Sequence, residues 1–138
     1  MVTVPVQDIS KKLGIKAGQA VLLLGAPAGM EALLGNLPAG AHFVAVGDGP
    51  AEVVVAFAHT REDLAAIAPR ARDALKLGGY LWFAYPKLTA ESAGELKREV
   101  VWEVVSAAIE QRPVTQVALD DTWSALRFRH ASEVKSRG

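Results

Sequence analysis

The residues able to do chemistry gather at the ends of apolar runs. Gly25, Pro27 and Gly29 form a Gly-x-Pro-x-Gly turn directly after the run Ala20 to Leu24. A glycine-rich turn that closes a strand and opens a helix presents backbone N–H groups to a phosphate or adenosyl group. Asp48 stands 23 positions beyond Gly25 (48 − 25), in a Gly-Asp-Gly-Pro turn. An acid about that far on is a usual partner of a ribose hydroxyl beside such a turn. His59 and Arg61 follow a third apolar run, Tyr85 and Lys87 end a fourth, and Asp120, Asp121 and Trp123 lie between the last two.

Each of these residues also has a plain structural reading. His59 has no second histidine or carboxylate at ligand spacing, so no metal site is expected. Ser124 has no Gly-x-Ser-x-Gly setting, which removes a hydrolase triad. Lys87 is expected to pair with Asp120 or Asp121 and so anchor the closing hairpin. Trp123 is expected to pack that hairpin against the last helix. Arg127 and Arg129 alternate with Leu126 and Phe128, which puts both guanidiniums on one strand face. No catalytic residue is assigned.

The elements that must position these groups follow from periodicity and punctuation. Val2, Val4 and Val6 suit a short edge strand around Pro5, and Asp8 can cap a short helix through Leu13. Strands are predicted over Ala20–Leu24, His42–Val46, Glu52–Ala58 and Tyr80–Tyr85, with a short helical piece over 30–34. Thr60 should cap a helix with Asp63 in the capping-box position and a buried stripe of Leu64, Ile67, Ala71 and Leu75. Pro69 should kink that helix or start a second, and Gly78-Gly79 should end it. Residues 91–111 read as the longest helix. Leu96, Val100, Val104 and Ala108 lie on one face, with Val101, Val105 and Ile109 beside them. Val114–Leu119 and Trp123–His130 read as a hairpin, and the tail from Ala131 is polar. Strand–helix alternation with apolar strands implies one α/β domain over 1–138: a three-layer, mostly parallel sheet of about six strands with a C-terminal antiparallel hairpin.

The segment Val21 to Gly29 (VLLLGAPAG) resembles the first motif of class I S-adenosylmethionine-dependent methyltransferases, hydrophobic-hydrophobic-Asp-hydrophobic-Gly-x-Gly-x-Gly. Leu75 to Trp82 (LKLGGYLW) is similar to the helix–GlyGly–strand step late in that fold. The resemblance covers roughly residues 13–130 and implies a Rossmann-like core one strand–helix unit short of the usual one. It further implies an adenosyl pocket around Gly25, Pro27, Gly29, Asp48 and His59. Two positions depart from the pattern: Leu23 stands where the family carries an acid, and Pro27 replaces the second glycine and removes a donor. Four pieces, Lys12 to Ile15, Gly25 to Pro27, Pro86-Lys87 and Asp121 to Ser124, also resemble a family of short bacterial proteins known only as a domain of unknown function.

Composition narrows the function classes. The chain has 138 residues, with Lys plus Arg equal to Asp plus Glu at 15 each, a balance unsuited to nucleic acid. Cysteine is absent, which removes disulfides and thiolate chemistry together. No apolar run reaches the roughly 18 residues of a membrane span, and no signal sequence opens the chain, so a cytoplasmic protein is expected. Glu91, Glu95, Glu99 and Glu103 recur every four residues as an acidic ridge. That ridge could meet Arg127 and Arg129 of a second copy in a homodimer. From Leu23 and Pro27 the expectation is a non-catalytic or regulatory binding domain for a small molecule or anion. S-adenosylmethionine or a nucleotide is not favoured as its cofactor. An active methyltransferase is the first alternative, and a structural interaction module the second.

Overall fold

The computed structural model describes residues 13–26, 37, 39–45, 50–86, 98–109, 111–119 and 123–130. Six strands form one sheet: β1 (Ala20–Leu24), β2 (His42–Val44), β3 (Ala51–Phe57), β4 (Leu75–Pro86), β5 (Gln111–Ala118) and β6 (Trp123–His130). Two helices are described, α1 (Arg61–Ala74) and α2 (Arg98–Ile109). The spatial order is β2-β1-β3-β4-β6-β5. The first four strands are parallel, while β6 runs antiparallel to both β4 and β5. This is the mostly parallel α/β sheet with a closing hairpin that the alternation implied.

Period-two alternation sorts the apolar side chains into two layers. Leu22, Val54, Ala56, Leu81, Phe83, Leu126 and Phe128 face α1 and α2 and meet Leu64, Ala68, Ala71, Val101, Val105 and Ile109. The rings of Phe83 and Phe128 meet edge to face at 5.5 Å across the β4–β6 pair. The opposite layer holds Val21, Val53, Val55, Phe57, Trp82, Ala84, Trp123 and Ala125, together with Leu13 and Ile15. Trp82 donates its indole N–H to the Leu13 carbonyl at 3.0 Å, which ties the chain entering β1 to the middle of the sheet. Strand β3 is buried on both faces, as its β-branched run requires.

Several boundaries differ from expectation for identifiable reasons. Pro69 does not start a second helix but lies inside α1, where Leu64, Ala68 and Ala71 on both sides of it bury a single stripe. Leu75 is not part of that stripe: α1 ends at Ala74, and Leu75 already pairs with Ala51 as the first residue of β4. The register then shifts, with Val53 opposite Tyr80. Gly79 permits this irregularity, since a Cβ there would overlap the Glu52 carbonyl oxygen. Strand β2 ends at Val44, two residues short of the expected Val46, and β3 starts one residue early, at Ala51. In α2 the fully buried stripe is Val101, Val105 and Ile109; Val100 and Val104 are half-buried and Ala108 is exposed. Pro113 does not stop the helix but lies within β5, an edge strand, next to a register shift between Pro113 and Thr115. Glu99 and Glu103 are exposed on α2. Glu91, Glu95, the segment 1–12, the helical piece over 30–34 and the tail from Ala131 lie outside the described residues.

Candidate functional site

The chain runs from β1 outward to β2 and then returns to β3 on the other side of β1. Connections that leave adjacent strands in opposite directions open a crevice at their carboxyl ends, the usual ligand position in such sheets. The two segments there are Gly25-Ala26 and Ala58–Arg61. Gly25 has φ +67°, and a Cβ on it would lie 3.2 Å from the Phe57 carbonyl oxygen. Only glycine suits a backbone both left-handed and this close to the neighbouring strand.

On the β3 side the edge is built by a cap. Thr60 Oγ1 accepts from the Asp63 N–H at 3.0 Å, and Asp63 Oδ2 accepts from the His59 N–H at 3.4 Å. This is the expected cap with its second bond displaced by one residue, from the capping residue to His59. It holds the turn in which His59 is exposed. The His59 ring meets Trp123 edge to face at 5.1 Å, and Trp123 meets Phe57 in the same manner at 5.2 Å. Trp123 is 6% exposed. The Ala58 N–H donates to Ala84 at 3.0 Å and the Leu119 N–H to Trp123 at 2.9 Å, which joins β3, β4 and the hairpin at this end.

The sequence-predicted residues separate into three groups. Gly25, His59, Arg61 and Trp123 do stand at the carboxyl edge. Tyr85 reaches that edge by position, but its side chain turns into the helix-facing core, 5% exposed, where its hydroxyl accepts from Gln116 Nε2 at 3.2 Å. Pro27, Gly29, Asp48, Lys87, Asp120 and Asp121 lie outside the described residues, and so does the expected Lys87 ion pair. Trp123 does not pack the hairpin against α2. Its parity on β6 sends it to the opposite face, beneath His59. Phe57 was not singled out from sequence. Its signal was its position two residues before His59, which puts both on one side of the strand end. Among the described residues no three His, Asp or Glu side chains are grouped to hold a metal ion.

No protein-family model matches the chain, and no curated protein matches it by sequence. Solved structures do match. A ribosomal protein methylase from Lactobacillus delbrueckii subsp. bulgaricus superposes with a TM-score of 0.62 at 13% identity, over 91% of this chain and 76% of that one. A methyltransferase dependent on S-adenosylmethionine from Aquifex aeolicus gives 0.56 at 17% identity, over 89% and 88%. Fibrillarin from Aeropyrum pernix, solved with natively bound S-adenosyl-L-methionine, gives 0.55 at 15% identity, over 94% and 70%. The chain therefore has the Rossmann-like fold of S-adenosylmethionine-dependent methyltransferases, with six strands among the described residues. These neighbours overturn the expectation of a non-catalytic or regulatory domain and favour the methyltransferase alternative. Leu23 and Pro27 depart from the family motif, yet the strand order β2-β1-β3-β4 is that of the methyltransferase neighbours' fold. No helix among the described residues is long and apolar enough to cross a membrane.

Proposed function

We propose that this chain is an S-adenosylmethionine-dependent methyltransferase whose cofactor lies across the carboxyl ends of β1 and β3. The observation that carries this reading is the reversal of strand order at β1, with Gly25 on one side and the Phe57–Trp123–His59 stack on the other. The residues fit the group: Gly25 lets an adenosyl moiety approach the backbone, and the buried Phe57–Trp123 pair supports one exposed imidazole, His59, from beneath. When bound, the cofactor supplies a methyl group on a sulfonium, ready for transfer to a nucleophile. His59 accepts the proton that an O–H or N–H acceptor loses as its methyl bond forms, since a neutral imidazole has a free lone pair. Asp48 binds the ribose hydroxyls, as its distance from Gly25 in sequence suggests. Pro27 removes one donor from the turn and Leu23 supplies no acid, so affinity rests on fewer polar contacts. The four short motifs point to the short bacterial family as the nearer kin.

Photolabelling tests this directly. Ultraviolet irradiation with methyl-labelled S-adenosylmethionine should attach label to peptides containing Gly25–Gly29 or Ala58–Arg61. Excess S-adenosylhomocysteine should suppress it. Label confined to peptides of the amino edge, or none that the competitor suppresses, would refute the proposal.

A further inference from the structure

We infer that a cleft at the amino edge of the sheet, opposite the crevice described above, binds a small doubly charged oxyanion. The cleft has a volume of about 310 Å³ and lies where β1, β3 and β4 begin, lined by Lys16, Gln19, Glu52, Lys76, Gly79 and Tyr80 among others. Its polar side chains are mostly donors. The exposed Lys16 ammonium has no carboxylate partner among the described residues. Gln19 Oε1 is engaged by the Lys16 backbone N–H at 2.9 Å, which leaves the amide N–H groups of its side chain to donate. The Tyr80 hydroxyl makes no hydrogen bond among the described residues.

Glu52 is the acid among the lining residues, and both its oxygens are taken. Oε1 accepts from the Ala20 N–H at 2.6 Å and Oε2 from Lys76 Nζ at 3.2 Å. Lys76 offsets the Glu52 charge and keeps two further N–H groups. A second cation stands behind the wall, with no carboxylate partner among the described residues. The Arg127 guanidinium lies 4.1 Å from the Tyr80 ring centroid, and its Nε–H is buried without an acceptor. The ring thus has a cation on one face, and the cleft carries a net positive potential with surplus donors. The occupant that satisfies such a set is acceptor-only and anionic: a phosphoryl group or a pair of carboxylates. Neither the cleft nor its occupant depends on the methyltransferase reading.

Amide NMR with three titrants at matched ionic strength and near-neutral pH tests the inference: inorganic phosphate, malonate and sodium chloride. Phosphate or malonate should give saturating shifts at the amides of Gln19, Val53, Gly79 and Tyr80, and chloride should not. Saturation by phosphate alone identifies a phosphoryl ligand, and by malonate alone a dicarboxylate. Lys16→Gln removes one charged donor from an exposed position and should weaken binding about tenfold. Tyr80→Phe keeps the ring against Arg127 and should weaken it several-fold. Shifts that stay linear for all three titrants would overturn the inference. Saturation undiminished in Lys16→Gln, with the amide spectrum showing an intact fold, would do the same.

Discussion

The two ends of the sheet are built from different interactions. At the carboxyl end, residues from β3 and β6, far apart in sequence, meet through aromatic edges: Phe57 on Trp123 and Trp123 on His59. At the amino end, β1, β3 and β4 are fixed by a carboxylate, since Glu52 takes the Ala20 N–H and the Lys76 ammonium. Burial of aromatic surface stabilises strongly and needs no partner charge, whereas an exposed ion pair is screened and worth little. The carboxyl end can therefore hold its shape while leaving the His59 imidazole and Gly25 exposed. The amino end keeps its register through polar contacts and retains unspent cationic donors.

Substitutions should expose that difference, beginning with the largest. Trp123→Ala removes the buried centre of the aromatic stack and should cost about 3–5 kcal/mol in urea unfolding, as large-to-small core changes do. A loss below about 1 kcal/mol would mean that the stack does not hold the edge. Gly79→Ala forces a methyl group against the Glu52 carbonyl where β3 and β4 shift register, and should cost about 1–3 kcal/mol. A neutral result would show that the irregular pairing relaxes freely.

Glu52→Gln should cost less, about 1 kcal/mol or under, because the Lys76 pair is exposed to solvent. Its signature is pH dependence. The Ala20 N–H, and after it Lys76, hold the Glu52 carboxyl below its usual range in the folded protein. A lowered folded pKa means that the stabilisation is complete above the unfolded value and is lost as pH falls through the folded value. Urea midpoints of wild type and Glu52→Gln should thus converge on acidification and separate toward neutrality; a constant gap would reject the linkage. The smallest stability effect belongs to His59→Ala, within about 0.5 kcal/mol, because the ring is exposed. Its consequence should instead fall on S-adenosylmethionine binding and transfer.

Much of this architecture was legible because burial follows period. Val53 to Phe57 and Ala20 to Leu24 alternate between two covered faces, and their apolar runs announced central strands. Thr60 with Asp63 announced the start of α1. The register shift near Gly79 was not legible, because it depends on how the Glu52 backbone approaches from another strand. Pro113 misled for a similar reason: an edge strand tolerates a residue that would end a helix. The positions of Gly25 and His59 after apolar runs put both at the carboxyl edge of the sheet. The directions of the Tyr85 and Trp123 side chains were not legible, since a residue at a strand end can face either layer and only the pairing register decides which. The amino-edge cleft has no signal in the sequence, because Lys16, Glu52, Lys76 and Tyr80 share no motif.

Calorimetric titration with S-adenosylmethionine tests the central claim most directly. One equivalent should bind with a micromolar Kd, about −8 kcal/mol, and S-adenosylhomocysteine should compete for the same site. His59→Ala and Asp48→Ala should each weaken that binding, while Lys16→Gln at the opposite edge should leave it unchanged. Binding no tighter than about millimolar, roughly −4 kcal/mol, or equal sensitivity to Lys16→Gln, would contradict a cofactor site at the carboxyl ends of β1 and β3.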